Sequence, residues 1–177
     1  MTKKSLERIR LGDLLMREQS RSNTDMVVNI ILKRPELFSD LWSLMLGNNG
    51  VISRRAAWAA DLCAEINPGF LIGRLEVLID LLPLFNSDGL KRHGLRMLTR
   101  ETLPEPKFGI LADTCFKWLE DPSESIAVKV YSMEILKKIA LALPEISREL
   151  RDIIEIQMGE ASPGFRSMGR KVLKQLK

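Results

Sequence analysis

Between residues 35 and 177 the apolar positions advance by threes and fours, in runs broken at Pro35, Gly47 to Gly50, Pro68, Pro83, Pro104, Pro122, Pro144 and Pro163. That step keeps one face of an α-helix apolar, whereas a half-buried strand would alternate. No segment alternates for long, β-branched residues rarely cluster, and the single tyrosine fits the same helical reading. The pattern predicts two alternating sets of helices, one over 36–46, 68–82, 105–119 and 145–158, the other over 51–66, 88–102, 124–142 and 163–176. Pro35-Glu36, Pro104-Glu105 and Pro144-Glu145 put a proline and a carboxylate in a first turn. There the missing N–H costs nothing and the helix dipole favours an anion. Pro68 plays the same part without the glutamate, and Ser53, Asp88, Ser123 and Ser162 are the expected caps of the second set. Residues 1–34 supply one or two further helices, the second beginning at Ser22-Asn23-Thr24-Asp25.

A longer period overlies the helical one. Arg54, Lys91, Lys129 and Arg166 are 37, 38 and 37 residues apart, and each precedes a small residue by three positions: Ala57, Gly94, Ser132 and Gly169. A leucine follows seven residues after the basic one in the last three copies (Leu98, Leu136, Leu173). A fixed period of this length marks stacked structural repeats, because one helical hairpin cannot bury its apolar face alone. The first copy departs from the rest. Registered on Arg54 and Ala57 it places Asp61 at the leucine position; registered on Arg55 it recovers Leu62 but puts Trp58 at the small position. The first register leaves Asp61 either a surface acid or an unusual carboxylate at the core edge.

The pattern basic–x–x–small–x–x–x–Leu, after a loop that often carries Asp-Pro, resembles the second helix of a HEAT-type repeat. Asp121-Pro122 before Lys129, Ser132 and Leu136 is the fullest copy, and the stretch from Ser162-Pro163 through Arg166 and Gly169 is similar. The resemblance implies an all-α fold, a right-handed α-α superhelix (HEAT-like solenoid) of about four hairpins. These would cover about 35–67, 68–103, 104–143 and 144–177 in one continuous domain behind a helical cap at 1–34. Short bacterial HEAT-like proteins, mostly without an assigned role, are similar too. Such repeats serve many functions, so the resemblance speaks to architecture and leaves chemistry open.

Charge adds a direction. The chain of 177 residues carries a net +4, yet the second-helix set, counted through Lys177, sums to +8, the first-helix set with its turns to −8, and residues 1–34 to +4. In HEAT-like repeats the second helices line the concave side, so the resemblance implies a basic concave layer that would focus potential on an anionic partner. The candidate binding residues are Arg54, Arg55, Trp58, Lys91, Arg92, Arg96, Lys129, Arg166, Arg170 and Lys171. The four repeating cations lie close to the apolar stripe, where long stems can rest on the core and bond the next repeat. Arg55, Arg92, Arg96, Arg100, Lys137, Lys138, Lys171 and Lys174 sit further round. Trp58 follows two arginines and could stack a base or anchor a peptide side chain. Trp42 and Trp118, among apolar neighbours, read as core.

Catalytic chemistry finds little support. His93 is the one histidine and reads as a solvated or capping residue; Cys63 and Cys115 read as buried, reduced thiols. Neither the spacing of a metal site nor a glycine-rich phosphate loop occurs, so no catalytic residue, metal or cofactor is expected. DNA alkylation repair glycosylases resemble this chain in using HEAT-like repeats with a basic face, an aspartate and aromatic residues. Trp58 and Asp61 beside Arg54 and Arg55, or more loosely Asp113 and Trp118, would be their counterparts. No window reaches the roughly 18 apolar residues of a membrane span, and Met1 to Arg10 lacks the marks of a signal peptide. The expectation is a cytoplasmic monomer, a non-enzymatic scaffold holding an acidic protein segment. Nucleic-acid binding through phosphate contacts is the alternative.

Overall fold

The computed structural model describes residues 11–47 and 49–176, so the part of the expected cap that falls on residues 1–10 lies outside the described residues. Residues 11–17 form α1. Then follow α2 (Arg21–Lys33), α3 (Phe38–Leu46), α4 (Gly50–Ile66), α5 (Leu75–Leu81), α6 (Asp88–Thr99), α7 (Phe108–Glu120), α8 (Ile126–Ala142), α9 (Ser147–Met158) and α10 (Pro163–Gln175). Among the described residues there is no strand, and the fold class is all-α, as the apolar periodicity requires.

The proline signals mark tighter turns than expected. Pro35–Leu37, Pro68–Leu71, Glu105–Lys107 and Pro144–Ile146 are 3-10 turns, and the α-helix proper starts only after each. Pro104 stands just outside its turn, with ψ at 120°. Of the expected caps, Ser162 accepts from Phe165 N. Asn49 and Ser125 cap α4 and α8 instead of Ser53 and Ser123. Ser53 lies one turn inside α4, and its hydroxyl donates to the carbonyls of Gly47 (2.6 Å) and Leu44 (3.0 Å), tying α3 to α4. Ser123 is held by Asp121, whose Oδ1 accepts from both its N–H and its hydroxyl, an Asx turn in place of a cap. Ser20, two residues before the expected start, caps α2.

Packing divides the chain into two compact units that interleave along the sequence: Met1–Arg74 with Phe85–Met97, and Leu75–Leu84 with Leu98–Lys177. In the first unit α2 and α3 pack on α4, whose Ala56, Ala57, Ala59, Ala60 and Cys63 are sealed from solvent. That alanine-rich surface lets its neighbours approach closely. Phe38 stacks on Phe70 (centroids 4.3 Å apart), and Arg74 lies over the Phe38 ring while donating to the Phe70 carbonyl at 3.0 Å. Trp42 is core, as read from its neighbours.

In the second unit α8 is the central element, with α7 and α10 against it and α9 against both α8 and α10. Val128, Ser132, Met133, Ile135, Leu136 and Ile139 are buried along it, and Trp118 on α7 is core. Each leucine so buried contributes about 2 kcal/mol of transfer free energy. A Cβ at Gly169 would sit 2.9 Å from Met158 Sδ and 3.0 Å from Ile154 Cγ2, so a larger residue at this helix crossing would have to displace those side chains. All four small repeat positions, Ala57, Gly94, Ser132 and Gly169, are buried. Ala57 is sealed while Trp58 keeps partial exposure, which settles the first repeat on the Arg54 register.

Candidate binding surfaces

Asp61 is the least expected group in the first unit. It stands where the other repeats carry leucine, it is fully buried, and α6 brings two side chains to its carboxyl group. His93 Nδ1 lies 2.7 Å from Asp61 Oδ2, and Arg96 Nη1 donates to the same oxygen at 3.0 Å. Arg96 Nη2 donates to Glu65 at 2.5 Å, one turn further along α4. On the outer side of the imidazole, Arg92 Nη2 lies 3.1 Å from His93 Nε2. A guanidinium can only donate, so Nε2 is the acceptor and Nδ1 carries the proton that Asp61 accepts. Trp58 stacks on the His93 ring, centroids 6.3 Å apart and planes 16° apart. His93 is therefore neither solvated nor a cap: it is buried at 4% exposure in a bonded chain running Arg92–His93–Asp61–Arg96–Glu65.

This geometry bears on the glycosylase resemblance. A carboxylate that activates water needs an open face, and that of Asp61 is buried and bonded to α6. Asp113 is exposed and Trp118 buried, so that pair presents no shared surface. Among the described residues no group of His, Cys, Asp and Glu is placed to hold a metal ion.

The other candidate cations divide by how they are employed. Arg54 donates to Gln19 Oε1 at 3.3 Å, and its stem lies over Gly89, where any Cβ would overlap it. Arg55 Nη1 donates to the Leu15 carbonyl at 2.9 Å. Lys129 is nearly buried and donates to Gln157 Oε1 at 3.2 Å. Lys138 donates to the Glu101 carbonyl at 2.9 Å, and burial lowers its pKa despite Glu134 beside it. Lys91 is partly exposed, and Arg92 is exposed beside His93. The stems that rest on the core thus end in bonds to neighbouring elements.

The last helix is different. Arg166, Arg170, Lys171 and Lys174 are all exposed, and α10 contains no acidic residue. None of the four has a hydrogen bond or ion pair among the described residues. Arg166, Arg170 and Lys174 are four residues apart and form one row along the helix, opposite the stripe of Phe165, Gly169, Val172 and Leu176 that faces the core. At the N-terminal end of α10 the surface opens into a groove of about 710 Å³ formed with α8 and α9. Sequence reading named three of these cations as ligand candidates but missed the groove, which is assembled by residues from three separate segments.

Both thiols are buried, as expected, and burial pushes each up to about 12. For Cys115 the neighbouring Ser132 hydroxyl acts in the opposite direction. No helix of the described residues is long and apolar enough to cross a membrane.

Comparison with known proteins agrees with the repeat architecture. A family model described as a HEAT repeat domain matches residues 11–176. Among curated proteins nothing matches. A crystal structure of an engineered protein from the Northeast Structural Genomics Consortium superposes with a TM-score of 0.65, covering 95% of this chain and 80% of its own at 16% identity. That likeness speaks to fold alone. With the four small repeat positions buried and the family match spanning the described residues from 11 to 176, the chain belongs to the HEAT-repeat family.

Proposed function

We propose that this protein is a non-enzymatic binding scaffold and that the outer face of α10 holds an acidic protein segment. HEAT repeats generally act as protein–protein interaction scaffolds and are typically not enzymes. The observation that carries the finer reading is the four exposed cations of α10, with no acid on that helix and no partner among the described residues. Arg54, Arg55, Lys129 and Lys138, whose stems rest on the core, are bonded to it, whereas α10 gathers four exposed cations on one helix. The exposed face of α10 has no aromatic side chain on which a base could stack, which favours a carboxylate-bearing segment over single-stranded nucleic acid.

Fluorescence anisotropy with labelled hexaglutamate and labelled duplex DNA, each at about 50 and 200 mM salt, tests this reading. Hexaglutamate is expected to bind at the lower salt, and Arg166→Glu, Arg170→Glu, Lys171→Glu and Lys174→Glu together to abolish binding without unfolding an exposed surface. DNA binding with a log–log salt slope near −0.9 per phosphate, and no hexaglutamate binding, would transfer the face to the nucleic-acid alternative. Binding of hexaglutamate unchanged in the fourfold variant would remove α10 from the interface.

A further inference from the structure

Four solvated ion pairs make a weak anchor, since solvent and salt screen each exposed pair. A segment held by α10 alone would dissociate readily in salt, and specificity requires a desolvated contact. The groove at the start of α10 offers one. Its apolar wall is built from Pro122, Ile126, Ile156, Ala161 and Phe165. Ile156 is 82% exposed and Ile126 45%, an unusual outlay of aliphatic surface for two residues lining the same recess. The floor is fixed: Lys129 bonds Gln157, and the Gln157 amide donates to the Leu119 carbonyl at 3.0 Å. Such a floor costs little ordering when a side chain docks on it.

The charges around the groove are asymmetric. Glu124 and Glu160 line it ahead of α10, Glu160 in the loop preceding that helix, whereas Arg166 stands in the first turn of α10 and Arg170 and Lys174 continue toward its C-terminal end. An acidic segment would be repelled on the Glu160 side and attracted along the helix. We propose that the groove takes an aliphatic side chain at one end of the acidic segment, with the carboxylates following it along α10 in the direction of the helix. This rests on the reading of α10 given above and adds to it the chemistry of the partner: an aliphatic anchor at the edge of an acidic run.

The test compares three fluorescein-labelled peptides at about 50 mM salt: hexaglutamate with a leucine pair at the N-terminus, with a leucine pair at the C-terminus, and with a serine pair in place of leucine. One leucine peptide is expected to bind about tenfold more tightly than the serine peptide, the gain from burying one aliphatic side chain. Ile156→Ser with Ile126→Ser, both at exposed positions, should erase that gain and leave the serine peptide's affinity unchanged. Equal binding of leucine and serine peptides, or a leucine advantage that survives Ile156→Ser with Ile126→Ser, overturns the groove while leaving the α10 reading in place. Failure of every peptide to bind, the serine one included, overturns both.

Discussion

Helices α4 and α8 are each 17 residues long and hold the same repeat position in different units, yet they solve the packing problem with opposite chemistry. On α8 the sequence Lys129, Ser132, Leu136 gives an apolar contact at the third site, and Leu136 is sealed. On α4 the corresponding residues are Arg54, Ala57 and Asp61, and the third site buries a carboxylate. What permits the exchange is the next repeat. His93 and Arg96 of α6 reach Asp61, whereas the residues at their register on α10 are Met168 and Lys171. A repeat fold therefore tolerates a charge in its core where the following repeat carries the donors. A buried ion pair of this kind adds little net stability over an apolar pair, because desolvation cancels most of the Coulomb gain. Its stronger effect is on register, since only one alignment of α4 with α6 satisfies Asp61.

Exchanging the two residues tests this directly. Leu136→Asp should be the most damaging change, at about 4 kcal/mol or more, because the buried carboxylate would meet at most one cation and no imidazole. Asp61→Leu restores the repeat's common residue yet should still cost about 3 kcal/mol, since it strands the His93 N–H and the Arg96 guanidinium. Denaturant midpoints with unchanged slopes would measure both. Adding His93→Leu and Arg96→Leu to Asp61→Leu is expected to recover most of the loss. A triple variant no more stable than Asp61→Leu would mean the cluster contributes far more than its desolvation-discounted worth.

The cysteines make the comparison local, because Cys63 lies in the first unit and Cys115 in the second. Burial raises both thiols from 9.0 to about 12, so they stay neutral in the folded chain well above the pH at which an unfolded thiol ionises. The stability tied to them is whole below pH 9 and declines as pH rises from 9 toward 12. At pH 8 a disulfide reagent should thus label either thiol only through opening of its own unit. Asp61→Leu should accelerate labelling of Cys63 more than of Cys115, and Leu136→Asp the reverse. Equal acceleration in both variants would show that the units open together. The smallest effect belongs to Ser132→Ala, which copies Ala57 of the first repeat. It should shift stability by no more than about 1 kcal/mol, because the buried Ser132 hydroxyl has no hydrogen-bond partner among the described residues to lose.

Helix positions and the repeat register were legible because both depend on periodic burial, which the order of residues records directly. The 3-10 turns were not: a proline followed by glutamate reads alike whether the first turn is α or 3-10. The serine caps were displaced by neighbours with the same chemistry, Asn49 for Ser53 and Ser125 for Ser123. His93 was misread because its partner lies 32 residues away. A signal did exist. Asp61 at a leucine position demands donors, and the only histidine of the chain falls on the face of the next second helix that the repeat turns toward it. The α10 cations were legible as charge, but their lack of partners and the groove beside them arise only when α8, α9 and α10 are assembled.

The interleaving of the two units has a consequence for how the chain is made. Asp61 leaves the ribosome some thirty residues ahead of His93 and Arg96, and Leu75–Leu84, which emerges between them, belongs to the other unit. Until α6 is free, α4 carries a solvated carboxylate on the face it will later bury, so the first unit remains unfinished through most of its own synthesis. A fragment ending at Arg74 would lack His93 and Arg96, whereas one extended to Met97 contains both. Dissection of this protein should accordingly follow the course of its helices, since any single cut that spares one unit removes a strip of the other.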